Sequence, residues 1–340
     1  MRDVRRPAAA AGMLRDPFAE RGRARRRLCL QLLGGRFEFE SDDPRLLQLV
    51  RWAYSGLPAH RLVVAPPLFR VRLLLAAPPI TRSQREPPPT ILVSGAGLLC
   101  AATTWSSSAV LAPNERAALL VVTEEMLKSP YHVRYELIEL AVCTLAARAQ
   151  GLVPFHGACV GLAGRGLLLV GPSGAGKSTV ALQALLDGFD MLSEDSVFVA
   201  PGKMLATGIA NFLHVRADSL SFVAQPRKAA AIRDSPIIRR RSGVEKFEVD
   251  LRKLKVRLAP TPLELAAVVV LSPKSAVGGR LLRPLKHAKL LAELQASQPY
   301  AAAQPEWGEF RKRVSGVEAF ELRRGVHPRD AAQALREALR

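Results

Sequence analysis

Aromatic residues are scarce in this 340-residue chain, at 6% of positions, and acids are outnumbered, 30 against 49 bases. The first scarcity removes most of the stacking surface on which single-stranded nucleic acids are held. The four cysteines, Cys29, Cys100, Cys143 and Cys159, are widely spaced, with no Cys-x-x-Cys pair and no Cys-and-His spacing suited to zinc. They read as free, partly buried thiols. No uncharged run has the make-up of a membrane span. The longest, Pro87 to Asn114, opens with three prolines and carries Thr90, Ser94, Gly95, Gly97 and several more small polar residues, so it reads as two short strands. The N-terminus has arginines and a short Ala8 to Ala11 run but no apolar core of signal-peptide length, and the expected setting is the cytoplasm.

What is present is a globular balance, 49% hydrophobic against 23% charged, which excludes wholesale disorder and a fibrous repeat. The net charge of +19 invites a nucleic-acid or anionic-membrane partner. Two observations weaken that: 38 of the bases are Arg in a chain rich in Ala and Pro, a bias that genome base composition alone produces, and the excess is confined. Residues 1–27 hold nine Arg against three acids, and residues 216–257 hold twelve bases against five acids. Neither segment carries a nucleic-acid-binding motif, so nucleic acid and membrane are both expected not to be partners.

Residues 1–27 lack periodicity and read as a mobile basic tail. Residues 28–149 read as a smaller α+β domain: strands at Arg36 to Glu40, Leu68 to Leu75, Thr90 to Leu99 and Ala118 to Thr123, a helix near Asp43 to Tyr54, and a closing helix over Tyr131 to Ala149. Residues 150–340 read as an α/β unit. Its strands are expected at Ala158 to Leu162, Leu167 to Val170, Met191 to Leu192, Val197 to Val199 and Leu265 to Leu271. Its helices are expected at Thr179 to Leu186, Lys286 to Gln295 and Arg329 to Leu339.

Gly171-Pro172-Ser173-Gly174-Ala175-Gly176-Lys177-Ser178 fits G-x-x-x-x-G-K-[ST] at every fixed position, after an apolar strand and before a helix. Such a loop curls its backbone N–H groups around a β-phosphate while the helix presents its positive end to the same anion. Gly171, Ser173, Gly174, Ala175, Gly176, Lys177, Ser178 and Thr179 are therefore the expected nucleotide-binding residues, Lys177 reaching the β- and γ-phosphates and Ser178 the Mg²⁺ of bound ATP. The apolar strand Leu265 to Leu271 runs into Ser272-Pro273-Lys274 without an acid. The nearest acids are Glu194-Asp195, one helix and one strand past the loop, where one can bind metal and the other take a proton. His156 precedes the strand that leads into the loop, and a His there can be packed as readily as it can shuttle a proton.

His156-Gly157, the loop, Gly188 and Glu194-Asp195, in that order and spacing, resemble the catalytic domain of the HPr serine kinase/phosphorylase family, whose fold is similar to phosphoenolpyruvate carboxykinase. The likeness is close over residues 155–199. It implies ATP-dependent transfer of the γ-phosphoryl group to a serine hydroxyl, with a base at Glu194, a Mg²⁺ ligand at Asp195, a catalytic His156 and a homo-oligomer. Glu194 stands where the bifunctional enzymes carry Asp. Their Glu-Ile-Arg-Gly stretch falls on His214-Val215-Arg216-Ala217, so the resemblance does not extend to a second metal-binding acid or to phosphorylase activity. Kinase-only relatives act on other acceptors, including ribosomally made precursor peptides, and the N-terminal region fits such a divergent member. The acceptor is thus expected to be a peptide, a protein or a small amino-acid-like molecule.

The run Arg239-Arg240-Arg241 and the bases Arg252, Lys253, Lys255 and Arg257 flank an alternating segment, Glu245 to Asp250. Two readings stay open: a solvated loop with an edge strand protected by charge, or an anion site for the phosphoryl group or an acidic acceptor. Two other functions also stay open, an ATP-binding regulator that transfers nothing and a nucleic-acid-stimulated ATPase.

Overall fold

A computed structural model of the chain describes residues 25–76, 87, 89–103, 107–276 and 280–339. It is a mixed α/β structure. Most of the expected tail lies outside the described residues, but the first strand already begins at Arg26, inside that segment, where Arg27 pairs with Glu40 at 2.8 Å.

The N-terminal half is a seven-stranded sheet in the order β1-β2-β3-β7-β6-β5-β4, formed by Arg26–Leu32, Gly35–Ser41, Leu68–Ala76, Ala117–Thr123, Ser108–Ala112, Leu98–Ala102 and Ile91–Gly95. The stretch expected as a strand over Thr90 to Leu99, in a run expected to hold two short strands, enters a hairpin of Ile91–Gly95 and Leu98–Ala102, because Ala96 and Gly97 both take positive φ and turn the chain. Helix α1 (Pro44–Tyr54) starts where its sequence signals it: Asp43 accepts from the Arg45 amide and Pro44 fills the first turn. Its Leu46, Leu47, Val50 and Ala53 are fully buried. They meet Phe37, Phe39 and Phe69, each contributing about 1.5–3 kcal/mol of burial.

The helix expected over Tyr131 to Ala149 is not uniform. After the short α2 (Glu124–Leu127) and α3 (Pro130–His132), residues Val133–Glu139 form a π turn, and only Leu140–Gln150 is the α-helix α4. A π turn adds one residue per hydrogen-bonded loop and is seldom kept without a local reason. Here it carries Arg134 and Tyr135, both of which reach into the C-terminal half.

That half is built on a nine-stranded mixed sheet. Its main path is β11-β9-β10-β17-β13-β12-β8, formed by Asp190–Ser193, Ala158–Leu162, Arg165–Val170, Leu263–Ser275, Leu205–Gly208, Ser196–Ala200 and Val153–His156. Strand β19 (Glu318–Arg324) extends it beside β17 and pairs with β18 (Leu282–Pro284). The parallel pairs are β10 with β17 and β17 with β19. Helices α5 (Lys177–Leu186) and α10 (Pro328–Glu337) cover one face, and α7 (His287–Ser297), α8 (Pro299–Ala302) and α9 (Trp307–Arg313) the other. A small sheet stands beside it, with β16 (Glu245–Asp250) between β14 (Phe212–Val215) and β15 (Ile237–Arg239), and α6 (Pro226–Arg233) precedes it. The alternating segment, an edge strand in one of the two readings, is the middle strand, buried at Glu248 and Val249 and paired on both sides.

The two halves are not insulated. Phe198 and Ile209 complete the N-terminal core, and His60 bonds to Thr207 and the Ala259 carbonyl. Arg252, one of the bases flanking the alternating segment, donates to the carbonyls of Ser55 and Trp52.

Candidate active site

The glycine-rich loop joins β10 to α5. Gly176, at φ +96°, sits at the helix N-cap, a backbone state that costs an L-residue energy and glycine nothing. No side chain caps that end, so the first-turn amides of a ten-residue helix face the loop. Lys177, largely buried, folds back to donate to the Gly171 carbonyl at 2.8 Å and the Pro172 carbonyl at 3.3 Å. Burial lowers its ammonium from the ordinary lysine range, against the pull of Asp195 and Glu194. Thr179 leaves the loop and contacts the Ser219 hydroxyl at 3.2 Å.

Strand β17 runs parallel to β10, and its last residues, Ser272 to Ser275, include no acid. The carboxylates come instead from the turn between β11 and β12, and they face different partners. Ser178 Oγ donates to Glu194 Oε1 at 2.5 Å, and His214 Nδ1 lies 3.0 Å from Glu194 Oε2. Glu194 is 5% exposed. Asp195 is more open, and its Oδ1 lies 3.1 Å from His156 Nδ1, with Arg240 at 3.8 Å from its other oxygen. Burial acts to raise the Asp195 carboxyl, but the His156 hydrogen bond and charge, with Arg240 and His214, outweigh it and hold it well below the usual carboxylate range.

The backbone around His156 is held from two directions. The Gln298 side chain accepts from the His156 amide at 2.9 Å and donates to its carbonyl at 3.0 Å, while the Gly157 amide donates to the Asp195 carbonyl at 3.0 Å. A Cβ on Gly157 would lie 2.5 Å from the Leu169 carbonyl oxygen, so only glycine lets this strand end approach the strand entering the loop. The His156 side chain itself is 58% exposed. The structure thus brings His156, Lys177, Ser178, Glu194 and Asp195 together.

Several members of the cluster carry no signal in the sequence. His214 on β14 lies opposite Glu248 on β16, with Nε2 3.6 Å from Glu248 Oε1 and 3.0 Å from the Tyr135 hydroxyl. Burial acts to lower His214, and its bonds to Glu194 and Glu248 outweigh it and raise it. Glu139 on the π turn is driven up to about 7 by burial and by the Asp195 charge. Lys246 is lowered mainly by burial and senses Glu194, Asp195 and Arg240. Of the Arg239 to Arg241 run, Arg240 faces Asp195, while Arg241 forms two bonds to Glu136, the shorter at 2.6 Å. In the run left open between a solvated surface and an anion site, Arg240 thus lies beside the acidic pair and Arg241 is held by Glu136.

Among the described residues no group of three or more His, Cys, Asp or Glu forms a metal cage. The Ser178 hydroxyl and Glu194 carboxylate are a hard-oxygen pair of the kind Mg²⁺ takes alongside phosphate oxygens and water. Two open clefts, lined mainly by α10 and its neighbours, contain none of these side chains. No helix among the described residues is long and apolar enough to cross a membrane.

No family model and no curated protein matches the chain. Among solved structures, the Hpr(Ser) kinase/phosphatase from Coxiella burnetii is similar over 54% of this chain and 94% of its own, at 12% identity and a TM-score of 0.27. A likeness of that size carries no argument about this chain.

Proposed function

We propose that the chain is an ATP- and Mg²⁺-dependent kinase that transfers the γ-phosphoryl group to a hydroxyl, serine first among the candidates, of a peptide, protein or small amino-acid-like acceptor. The observation that carries the reading is the junction of the loop with α5, where Lys177 lies in the loop and Ser178 Oγ lies 2.5 Å from Glu194. Loop amides and Lys177 bind the phosphates. Ser178 and Glu194 would hold Mg²⁺, which neutralises charge on the β- and γ-oxygens when bound.

The family resemblance implies a base at Glu194 and a metal ligand at Asp195. The hydrogen bonds favour the exchanged assignment. Both Glu194 oxygens are engaged away from solvent, one by Ser178 and one by His214. A carboxylate held as low as Asp195 is a weak base, but it is well suited to orient a neighbouring imidazole, as in any carboxylate–histidine pair. With His156 Nδ1–H directed at Asp195, Nε2 is left to accept the acceptor hydroxyl's proton as its oxygen attacks the γ-phosphorus and ADP departs. Arg240 lies beside Asp195, where it can meet charge on the transferring group.

Incubation with γ-labelled ATP and a panel of serine peptides and free serine tests this. Label is expected in an acceptor with the parent and not with Lys177→Ala. Nucleotide binding without transfer to any hydroxyl would instead mark a regulator, and ATP turnover that rises only with added DNA or RNA would mark a nucleic-acid-stimulated ATPase.

A further inference from the structure

A row of hydrogen-bonded and ion-paired side chains runs from the N-terminal half to the loop: Arg134, Glu248, His214, Glu194 and then the Ser178 hydroxyl. Arg134 is fully buried and ion-paired to Glu248, its guanidinium 4.2 Å from the Trp52 ring, 4.2 Å from Phe212 and 4.7 Å from Tyr135. Trp52 belongs to α1 and Phe212 to β14, so one side chain locks the two halves together.

His214 is the hinge of the row. Its ring is 2% exposed, which leaves no room for water to take over its contacts. Of the two groups near Nδ1, Glu194 Oε2 at 3.0 Å is nearer than the Arg240 guanidinium at 3.3 Å, and a carboxylate oxygen accepts, so the ring hydrogen on Nδ1 is assigned to the Glu194 bond. Nε2 then meets the Tyr135 hydroxyl, which the π turn supplies, at 3.0 Å. With Oε2 fixed, the Glu194 carboxylate keeps a single orientation, and Oε1 is the oxygen that meets Ser178. Reacting groups displaced by about 1 Å lose as much as 10²-fold in rate, so this orientation has kinetic value.

We propose that Tyr135 and His214 are positioning residues for Glu194, which makes the N-terminal half an integral part of the phosphotransfer centre. The proposal rests on the kinase reading above. Tyr135 acts at two removes: its hydroxyl sets the imidazole, and the imidazole sets the carboxylate.

The test uses the full chain. Tyr135→Phe removes one hydroxyl and keeps the ring that stacks on Arg134. It is expected to lower kcat about tenfold, as loss of an outer partner to a ligating group does, with the ATP KM within about twofold of the parent and an unchanged melting temperature. His214→Asn keeps a donor to Glu194 and loses the link to Tyr135, so it should match Tyr135→Phe. His214→Ala should cost about 10²-fold, and adding Tyr135→Phe to it should cost nothing more. Parent-like kcat in Tyr135→Phe, or additive losses in the double variant, overturns the proposal. If His214→Ala does not fold, Tyr135→Phe and His214→Asn decide alone. A readout independent of turnover is the ¹⁵N-histidine spectrum at one pH. The His214 ring signals should move in Tyr135→Phe while those of His156 stay, and unmoved His214 signals overturn the link. A parent that transfers no phosphate to any acceptor would sink the kinase reading, and the ring spectra would still decide whether Tyr135 holds His214.

Discussion

Glu248→Gln is the substitution with the largest consequence that can be worked from the geometry. Glu248 is 2% exposed and is the partner of a fully buried Arg134 whose Nε and Nη1 find no hydrogen-bond acceptor among the described residues. The ring contacts of Arg134 persist in the variant, and the amide oxygen still accepts, so what is lost is the counter-charge. Uncompensating a buried cation costs about 3–5 kcal/mol, and the retained amide bond puts the expected loss at the lower end, about 3 kcal/mol. At about 2 °C per kcal/mol for a long chain, the melting temperature should fall by roughly 6 °C. Urea titration and thermal melts both read this. Replacing Arg134 and Glu248 together by Met should restore most of the loss, since removing both charges leaves none unpaired. The sign with pH follows from the depressed Glu248 carboxyl, which burial opposes and the His214 and Arg134 bonds enforce. A depressed acid contributes stability above its unfolded value and loses it as pH falls through the folded one, so the gap between parent and Glu248→Gln should close in acid. A Glu248→Gln variant within about 1 kcal/mol of the parent at pH 7, or a double variant less stable than the single one, refutes the reasoning.

Lys177→Ala should abolish transfer while the protein stays folded, because the side chain's two bonds go to loop carbonyls and not to the core; near-normal transfer would refute the phosphate role. His156→Ala should lower kcat by about 10²- to 10⁴-fold with little change in ATP KM, whereas Glu194→Gln should raise the Mg²⁺ concentration needed for half-maximal rate. If Glu194→Gln loses kcat with unaltered Mg²⁺ dependence, the assignment implied by the family resemblance is restored. Gly157→Ala should destabilise the protein by about 1–3 kcal/mol and impair transfer, since its Cβ would press on the Leu169 carbonyl; an alanine variant that melts and turns over like the parent removes the close-approach argument. Glu139, raised to about 7, favours the folded state when protonated, so the parent should lose stability as pH rises from about 4.5 through about 7. Glu139→Gln should escape that loss, and stability curves that stay parallel from pH 4 to pH 8 would contradict it.

The legible parts of the site were those written in contiguous residues. The strand, loop and helix at Arg165–Val170, 171–176 and Lys177–Leu186 follow from local rules: an apolar run, glycines where φ is positive, and a helix whose N-cap glycine offers no side-chain cap. The acidic pair was legible as well, one helix and one strand away. The π turn was not, because an apolar spacing that suits an α-helix does not reveal an extra residue in one turn. For the basic segment two readings stayed open, because composition records charge and not where side chains point. Arg252 and Arg241 are spent on backbone and carboxylate partners in the N-terminal half, and Glu248 is in the middle of a sheet.

By itself the sequence determined the glycine-rich loop between a strand and a helix, the candidate nucleotide chemistry at Lys177 and Ser178, and the mixed α/β character of the chain. Only the tertiary structure decided which carboxylate meets Ser178, that Asp195 belongs to His156, and that Tyr135 stands 3.0 Å from His214 across 79 residues. It likewise placed Glu248 beside Arg134 across 114 residues and clamped His156 with Gln298 from 142 residues away. Local contacts depend on backbone torsions that neighbouring residues set, whereas contacts of that separation depend on strand register and on the packing of two halves, and no short stretch of sequence encodes either.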